Sequence, residues 1–541
     1  MRARGVMSVV LGLTLLGACG QNPPPQPAGS STGSASAAGS ASAASPSAPP
    51  PALSKADPGL VGGLVGVPLA SPKDKITTEM PLAANVPALR EGIVLVRGQY
   101  LRQYSYRTAR EGFGLAWSLV ASSPDTVGIR LVGETAAGGA QEVSPAIVWF
   151  DARTDRVASS PALIRPMSWK PFTELVVQRA NGLDATRVRS AMASDMAPRG
   201  TGPAIGFAPS GDVIVEFGGG TVAEGAASRT VVVPAAQVTD MLSQLGARAR
   251  AASSQPVAFD PTTVAPRPAP EPETAPPAPA TAGATVPATP AAPSSASASS
   301  KPATPSTAAS PTVPASTPAP AVADDRPTIG VVPDCHKLKC VAVTYDDGPA
   351  ATTPEVLAAL TKAKVPATFF VLGEVSHTNQ AGVLAEAIAG MDVQSHTFKH
   401  DQMTKKADAG LVQAKQQSDE LTPLLGYRPW LIRPPYGDRN ARSTAVIGQL
   451  GAASAIWSVD TEDWKNKNAE ITTQRALAAT AGDIILMHDI HQSTATAAPG
   501  ILKGLAANGF TVVSMSELTQ PGAWQPGVAY CFSPDRSKPT C

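Results

Sequence analysis

Residues 251–325 hold 18 prolines in 75 positions, and no aromatic residue occurs between Phe259 and Tyr345. Proline fixes its own backbone and donates no hydrogen bond. A tract without large apolar side chains cannot offset the entropy of ordering. Such a stretch is a linker, and it forces the chain into separate folded parts. A second tract, rich in Pro, Ser, Ala and Gly, runs from Gly20 to about Ala56. With both set aside, the 541 residues hold two globular segments, not the three or four that length suggests. The expected boundaries are 19–60 for the first linker, 61–250 for a smaller α+β domain, 251–326 for the second linker and 327–541 for the last domain. With 43 Lys and Arg against 42 Asp and Glu, the charge balance argues against nucleic acid as a partner.

The N-terminus reads as an export signal. Arg2 and Arg4 precede an apolar run from Val6 to Leu16, then Gly17-Ala18-Cys19. That run is too short to span ~30 Å of hydrocarbon as a helix and matches the core of a secretory signal over 1–18. Leu16-Gly17-Ala18-Cys19 resembles a bacterial lipobox, which implies lipidation of Cys19 and a lipid bilayer as a partner on the outer face of the membrane. Four cysteines remain, Cys335, Cys340, Cys531 and Cys541. An even number in an exported chain points to two disulfides with three possible connectivities. Cys335–Cys340 and Cys531–Cys541 is the expected pairing, stapling the two ends of the last domain.

The C-terminal part alternates strand and helix signals. Apolar runs at Cys340–Thr344, Ala367–Leu372, Leu431–Arg433, Ser454–Val459, Ile484–Met487 and Thr511–Val513 read as buried parallel strands. Amphipathic stretches lie between them, for instance Thr353–Ala363, Ala381–Ala389 and Ala409–Leu425. Repeated βα units predict an α/β fold, a deformed barrel of about seven strands with its chemistry at the C-terminal strand ends. The first segment instead shows short alternating strands such as Asp212–Phe217 and Thr230–Val233, with a short helix at Asp240–Arg248.

All six histidines lie beyond residue 335. His396 and His400, at helical or tight-loop spacing, can converge on one metal, and Asp347 would complete a three-ligand set with open positions. Asp346, beside it, is placed to take a proton from water. His488 ends an apolar run and is a candidate acid for a leaving nitrogen.

These residues carry a resemblance to the polysaccharide deacetylases of the NodB-homology type (carbohydrate esterase family 4), over roughly Cys335 to Thr519. Five motifs occur in order: Thr344 to Pro349, His396 to His400, Arg433 to Gly437, Asp460 to Trp464 and Leu486 to Asp489. The resemblance implies Asp346 as catalytic base, and Asp347, His396 and His400 as ligands of a divalent metal, most often Zn2+. It implies Arg433 as the residue orienting the base, His488 as general acid and Asp463 as its charge partner. For substrate it implies the Tyr436 backbone N–H at the oxyanion, with Trp464 and Leu486 lining an acetyl pocket. The expected activity is N-deacetylation of peptidoglycan, a cell-wall glycan. Chitin oligomers, O-acetylated xylan and a non-catalytic wall-binding role are the alternatives.

The first globular segment resembles, more loosely, the extracellular domain of lysozyme-sensing anti-sigma factors. The likeness rests on Ala146–Asp151, Pro171–Leu175 and Phe207–Pro234. It implies a module touching wall glycan or a wall-directed protein; an α+β spacer is the other reading.

Overall fold

The computed structural model describes residues 51–83, 85–194, 203–266, 326, 330–405, 407–534 and 541. The expected signal segment, Cys19 and most of both linkers lie outside the described residues. Strands β1 (Leu64–Ser71) and β2 (Ile76–Ala83) pair antiparallel. Helix α1 (Pro87–Ser105) then leads to β3 (Phe113–Ser123), which lies parallel to β2. An antiparallel meander of β4 (Thr126–Ala137), β5 (Ala140–Asp151) and β6 (Arg156–Ser159) completes a six-stranded sheet ordered β1 to β6.

Side chains alternate faces along a strand, and both faces of this sheet are covered. Ala146, Val148 and Phe150 of β5 join the core that contains α1, whereas Ile147 and Trp149 join a second core. The second core is closed by α2 (Trp169–Arg179), α3 (Ala185–Ala193), the sheet of β7 (Ala204–Phe207), β8 (Val213–Phe217) and β9 (Arg229–Val233), then α4 (Ala235–Val238) and α5 (Gln244–Ser254). This region is α+β, but it reaches beyond 61–250 at both ends. Ser54 N donates to Phe207 O at 2.9 Å, and Val257 N to Ser122 O at 2.9 Å. Phe259 packs edge-on to Phe150, and Ala265 N donates to Ala152 O at 2.7 Å. Composition marks these flanks as linker, yet their backbone groups are tied into the fold.

The second region is built on an all-parallel, curled sheet of the (β/α) barrel type. Its elements are β10 (Cys340–Asp346), α6 (Thr353–Ala363), β11 (Thr368–Val371), α7 (Gly373–Thr378), α8 (Gln380–Ile388), β12 (Asp392–Ser395), α9 (Ala407–Leu425) and β13 (Leu431–Ile432). Then come α10 (Ala441–Gln449), β14 (Ala453–Ala455), β15 (Val459–Asp460), α11 (Asp463–Asn466), α12 (Ala469–Ala476), β16 (Ile484–His488), α13 (Gln492–Ala507), β17 (Thr511–Val513) and β18 (Ala529–Tyr530). The order is β15-β16-β10-β11-β12-β13-β14-β18, with β17 paired to the start of β10, making nine strands where about seven were expected. The difference lies in very short strands, since the apolar run after Gly451 splits into β14 and β15. An antiparallel bridge from Phe532 to Asp483 ties the tail back beside β16. Cys335 is bonded to Cys340 and Cys531 to Cys541.

The described residues from Pro51 onward form one compact unit, with the two regions in contact through α1. Helix α1 is buried on nearly every side, with Leu89, Ile93, Val96 and Leu101 at 0 % exposure. Its buried residues include Glu91, Arg97, Gln99 and Arg102, so the cover must supply polar partners as well as apolar contact. The six-stranded sheet covers one side, and the base of the barrel, where its strands begin, covers the other. Gln99 Nε2 donates to Val331 O at 2.7 Å, and Arg102 Nη1 donates to Gly390 O at 2.8 Å while pairing with Glu517. Gly522 N donates to Glu91, and the Arg97 guanidinium lies 5.5 Å from the Tyr427 ring centre. Gly390 is left-handed (φ +77°) and sits against Gly98, where a Cβ would run into the Gly98 carbonyl.

Candidate active site

At the opposite end of the barrel, five strands deliver polar side chains to one place. Strand β10 ends in Asp346, and Asp347 follows with φ 73°. Ordinary strand alternation would point consecutive carboxylates to opposite faces, and the left-handed turn breaks that alternation. Thr397, His400, Tyr436 and Glu462 also have positive φ (65°, 59°, 61° and 47°). Each such residue costs about 1–3 kcal/mol of backbone strain, and here they gather where the strands end.

His396 and His400 lie on a tight loop after β12, not on a helix. The N-terminal amides of α7 hold that loop, Gly373 N donating to Thr397 O and Glu374 N to Phe398 O, both at 3.0 Å. His396 Nδ1 bonds Arg433 O at 2.8 Å, leaving Nε2 to face the site. Burial lowers the His396 pKa to about 3, so the ring is neutral and its lone pair free. Both His396 Nε2 and His400 Nε2 stand 3.4 Å from Asp347 Oδ1. The three donor atoms lie within 4.8 Å of one another. Asp347 Oδ1 is buried with no hydrogen-bond partner, a costly state for a carboxylate unless a cation satisfies it. The donor set of two imidazoles and one carboxylate suits a catalytic zinc site, so these residues fit a divalent metal.

Asp346 is buried beside the triad, its Oδ2 3.8 Å from His396 Nε2. Arg433, at 0 % exposure, donates from Nη1 to Asp346 Oδ1 and to Thr344 Oγ1, both at 2.7 Å. Its other nitrogens reach Ala455 O at 3.1 Å and Ile456 O at 3.0 Å, and its guanidinium lies 4.0 Å from the Phe370 ring centre. Burial raises the Asp346 pKa above the usual carboxylate range, opposed by the charges of Arg433 and His488.

A second pair stands across the site. His488 Nδ1 meets Asp463 Oδ1 at 2.8 Å, and His488 N donates to Asp463 Oδ2 at 2.7 Å. Burial alone would lower the His488 pKa. The hydrogen bond and charge of Asp463, with Asp346 and Asp347 nearby, raise it to about 9. The imidazole is therefore a cation at neutral pH, able to give up a proton.

The remaining expected residues are placed as follows. Tyr436 is exposed, its ring centre 4.5 Å from that of His400. Trp464 is exposed, and its backbone N–H donates to Asp463 Oδ1 at 2.9 Å. Leu486 is buried in β16, two residues before His488, and its carbonyl accepts from Thr461 Oγ1 at 2.8 Å. Two contributors escaped the sequence reading. One is the Arg433 carbonyl that fixes the His396 tautomer; the other is Thr494, whose hydroxyl donates to Asp463 Oδ2 at 2.6 Å. A carbonyl leaves no trace in sequence, whereas a Thr six residues after His488 was at least readable.

Residues 334–455 match the polysaccharide deacetylase family. The peptidoglycan-N-acetylglucosamine deacetylase PgdA of Listeria monocytogenes is 41% identical over 190 residues, 35% of this chain and 40% of that one. The peptidoglycan-N-acetylmuramic acid deacetylase PdaC of Bacillus subtilis is 37% identical over 185 residues, 34% of this chain and 39% of that one. A solved structure of the same PdaC is 37% identical over 34% of this chain and 90% of that chain, with a TM-score of 0.32. The chain thus spans about two fifths of the length of the first two relatives. A peptidoglycan-N-acetylglucosamine deacetylase of Bacillus cereus is 33% identical over 187 residues, 33% of this chain and 68% of that one. Through this C-terminal region, the chain belongs to the polysaccharide deacetylase family.

Proposed function

We propose that the protein is a metal-dependent N-deacetylase of peptidoglycan, tethered through a lipidated Cys19 to the outer face of the cell membrane. The observation that carries this is the pairing of Asp346 with Arg433 and of His488 with Asp463 around the Asp347, His396 and His400 triad. The names of the relatives support the wall glycan as substrate. Lipidation rests on the sequence around residue 19. Among the described residues no helix is long and apolar enough to cross a membrane.

Asp347, His396 and His400 would hold the ion. When bound, a Zn2+ ion supplies Lewis acidity and lowers the pKa of water towards ~7. Arg433 holds Asp346 Oδ1, so that Oδ2 is presented to the attacking water and takes its proton. As the water oxygen bonds to the acetyl carbon, the carbonyl becomes an oxyanion. We assign the Tyr436 N–H as a donor to it, an electrostatic contribution that is commonly large. His488 then passes its Nε2 proton to the sugar nitrogen as the C–N bond breaks, giving acetate and a free amine. Trp464 and Leu486 are assigned to the walls around the acetyl methyl. For the first region we keep the assignment of a module that meets wall glycan or a wall-directed protein.

The test is acetate release from purified wall peptidoglycan by protein from Gly20 onward, with and without added zinc, beside Asp346→Asn. Zinc-dependent release lost in the variant is expected. Release only from chitin oligomers or acetylated xylan moves the substrate, and silence on all three from folded, zinc-loaded protein sinks the enzyme reading.

A further inference from the structure

We propose that Thr494 is a positioning residue for proton donation, its hydroxyl holding the Asp463 carboxylate that orients His488. The inference rests on the deacetylase reading above. Asp463 is at 0 % exposure and its two oxygens receive four hydrogen bonds. Oδ1 receives His488 Nδ1 and the backbone amide of Trp464, whereas Oδ2 receives the backbone amide of His488 and Thr494 Oγ1. Two of the four donors are therefore main-chain groups and one is the acid itself. Among the described residues, Thr494 is the only other side chain that touches the carboxylate through a hydrogen bond.

The placement of Thr494 is itself determined. It lies in the first turn of α13, where a threonine commonly turns its hydroxyl to its own helix, yet here the hydroxyl crosses to a residue 31 positions earlier. Its backbone N–H donates to His491 O at 3.0 Å, which joins the helix start to the segment carrying His488. At 0 % exposure, no water can replace the hydroxyl without room being made. A carboxylate held at both oxygens cannot swing, so the imidazole it carries keeps one direction.

A proton donor matters when the leaving group is a poor one. An amide nitrogen must be protonated to depart, but a 4-nitrophenolate leaves unaided. The experiment compares kcat and KM on a chitin oligomer and on 4-nitrophenyl acetate for the zinc-loaded wild type, His488→Ala, Thr494→Val and Thr494→Ser. His488→Ala is expected to lose activity on the amide and far less on the aryl ester. Thr494→Val should follow the same pattern, losing about 10- to 100-fold in kcat on the amide, the range for a hydrogen bond to a charged group. Its KM and its aryl esterase rate should hold, and Thr494→Ser should recover the amide rate. An equal fall on both substrates would mean a merely structural threonine and overturns the proposal. So does full amide activity in Thr494→Val while His488→Ala shows its selective loss. If His488→Ala shows no selectivity, the general-acid assignment itself fails, and the role of Thr494 falls with it.

Discussion

The two ends of the barrel put buried charge to different uses, although each holds paired and unpaired groups: Arg97 at the base keeps Nε and Nη1 without a hydrogen-bond partner. At the base, Arg102 meets Glu517 and the Gly390 carbonyl, and Glu91 meets the Gly522 amide, each partner brought by the other region of the chain. At the mouth, Asp347 keeps a buried oxygen without a partner, and the Asp346 and His488 pKa values are both pushed upward. Charge that is satisfied within the chain holds it together. Charge left partly unsatisfied is available to an ion, a water or a substrate.

That contrast predicts that changes at the mouth remove activity and leave the fold, whereas changes at the base do the reverse. The largest effect belongs to Asp346→Asn, with acetate release reduced by ~10²–10⁴-fold or more while calorimetry still shows a folded protein. Stripping divalent metal with a chelator should bring activity to the same floor, and added zinc should restore it. If either treatment instead unfolds the protein, the mouth is structural and the contrast fails.

At the base, Arg102→Leu strands the Glu517 carboxylate, and loss of one member of a buried pair costs about 3–5 kcal/mol. Denaturant unfolding should show that loss in one cooperative transition, with activity per folded molecule unchanged. Two separate transitions in the wild-type chain would mean that the regions are independent bodies.

A smaller effect sharpens the account of the mouth. As the proposed acid, His488 donates only while protonated, and its raised pKa of about 9 keeps it so through neutral pH. In Asp463→Asn that support is lost, so the alkaline limb of kcat should move from about 9 down towards the ordinary imidazole value of ~6.5. An unmoved limb would assign it to another group. The smallest effect is expected from Lys415→Ala, which breaks an exposed pair with Asp419 and should cost no more than ~0.5 kcal/mol by chemical denaturation.

The mouth was legible in the sequence because its groups sit in short motifs at strand ends, and chemistry restricts which residue types can serve there. The base was not. Strand β12 reads Asp-Val-Gln-Ser, too polar for a buried strand by pattern, yet all four residues are buried. Asp392 receives Thr368 Oγ1 at 2.9 Å and Gln394 Nε2 at 2.7 Å, and Gln394 Oε1 receives the amides of Trp430 and Leu431 at 3.1 Å. Helix α1 was hidden for a related reason: polar side chains are buried among its apolar ones, so no clean polar face gives it a period. Its polar residues, Glu91, Gln99 and Arg102, find partners hundreds of positions away, which local pattern cannot register.

Those distances along the chain also set an order of events during synthesis. Glu91 waits for Gly522, 431 residues later, and Arg102 waits for Glu517, 415 residues later. A chain made from its N-terminus therefore presents α1 long before the barrel base exists to cover it. Contacts of such separation form slowly, and a helix whose apolar side chains are left uncovered invites aggregation in the interval. The helix that joins the two regions in the finished protein is thus the segment most in need of chaperone protection while the protein is being made.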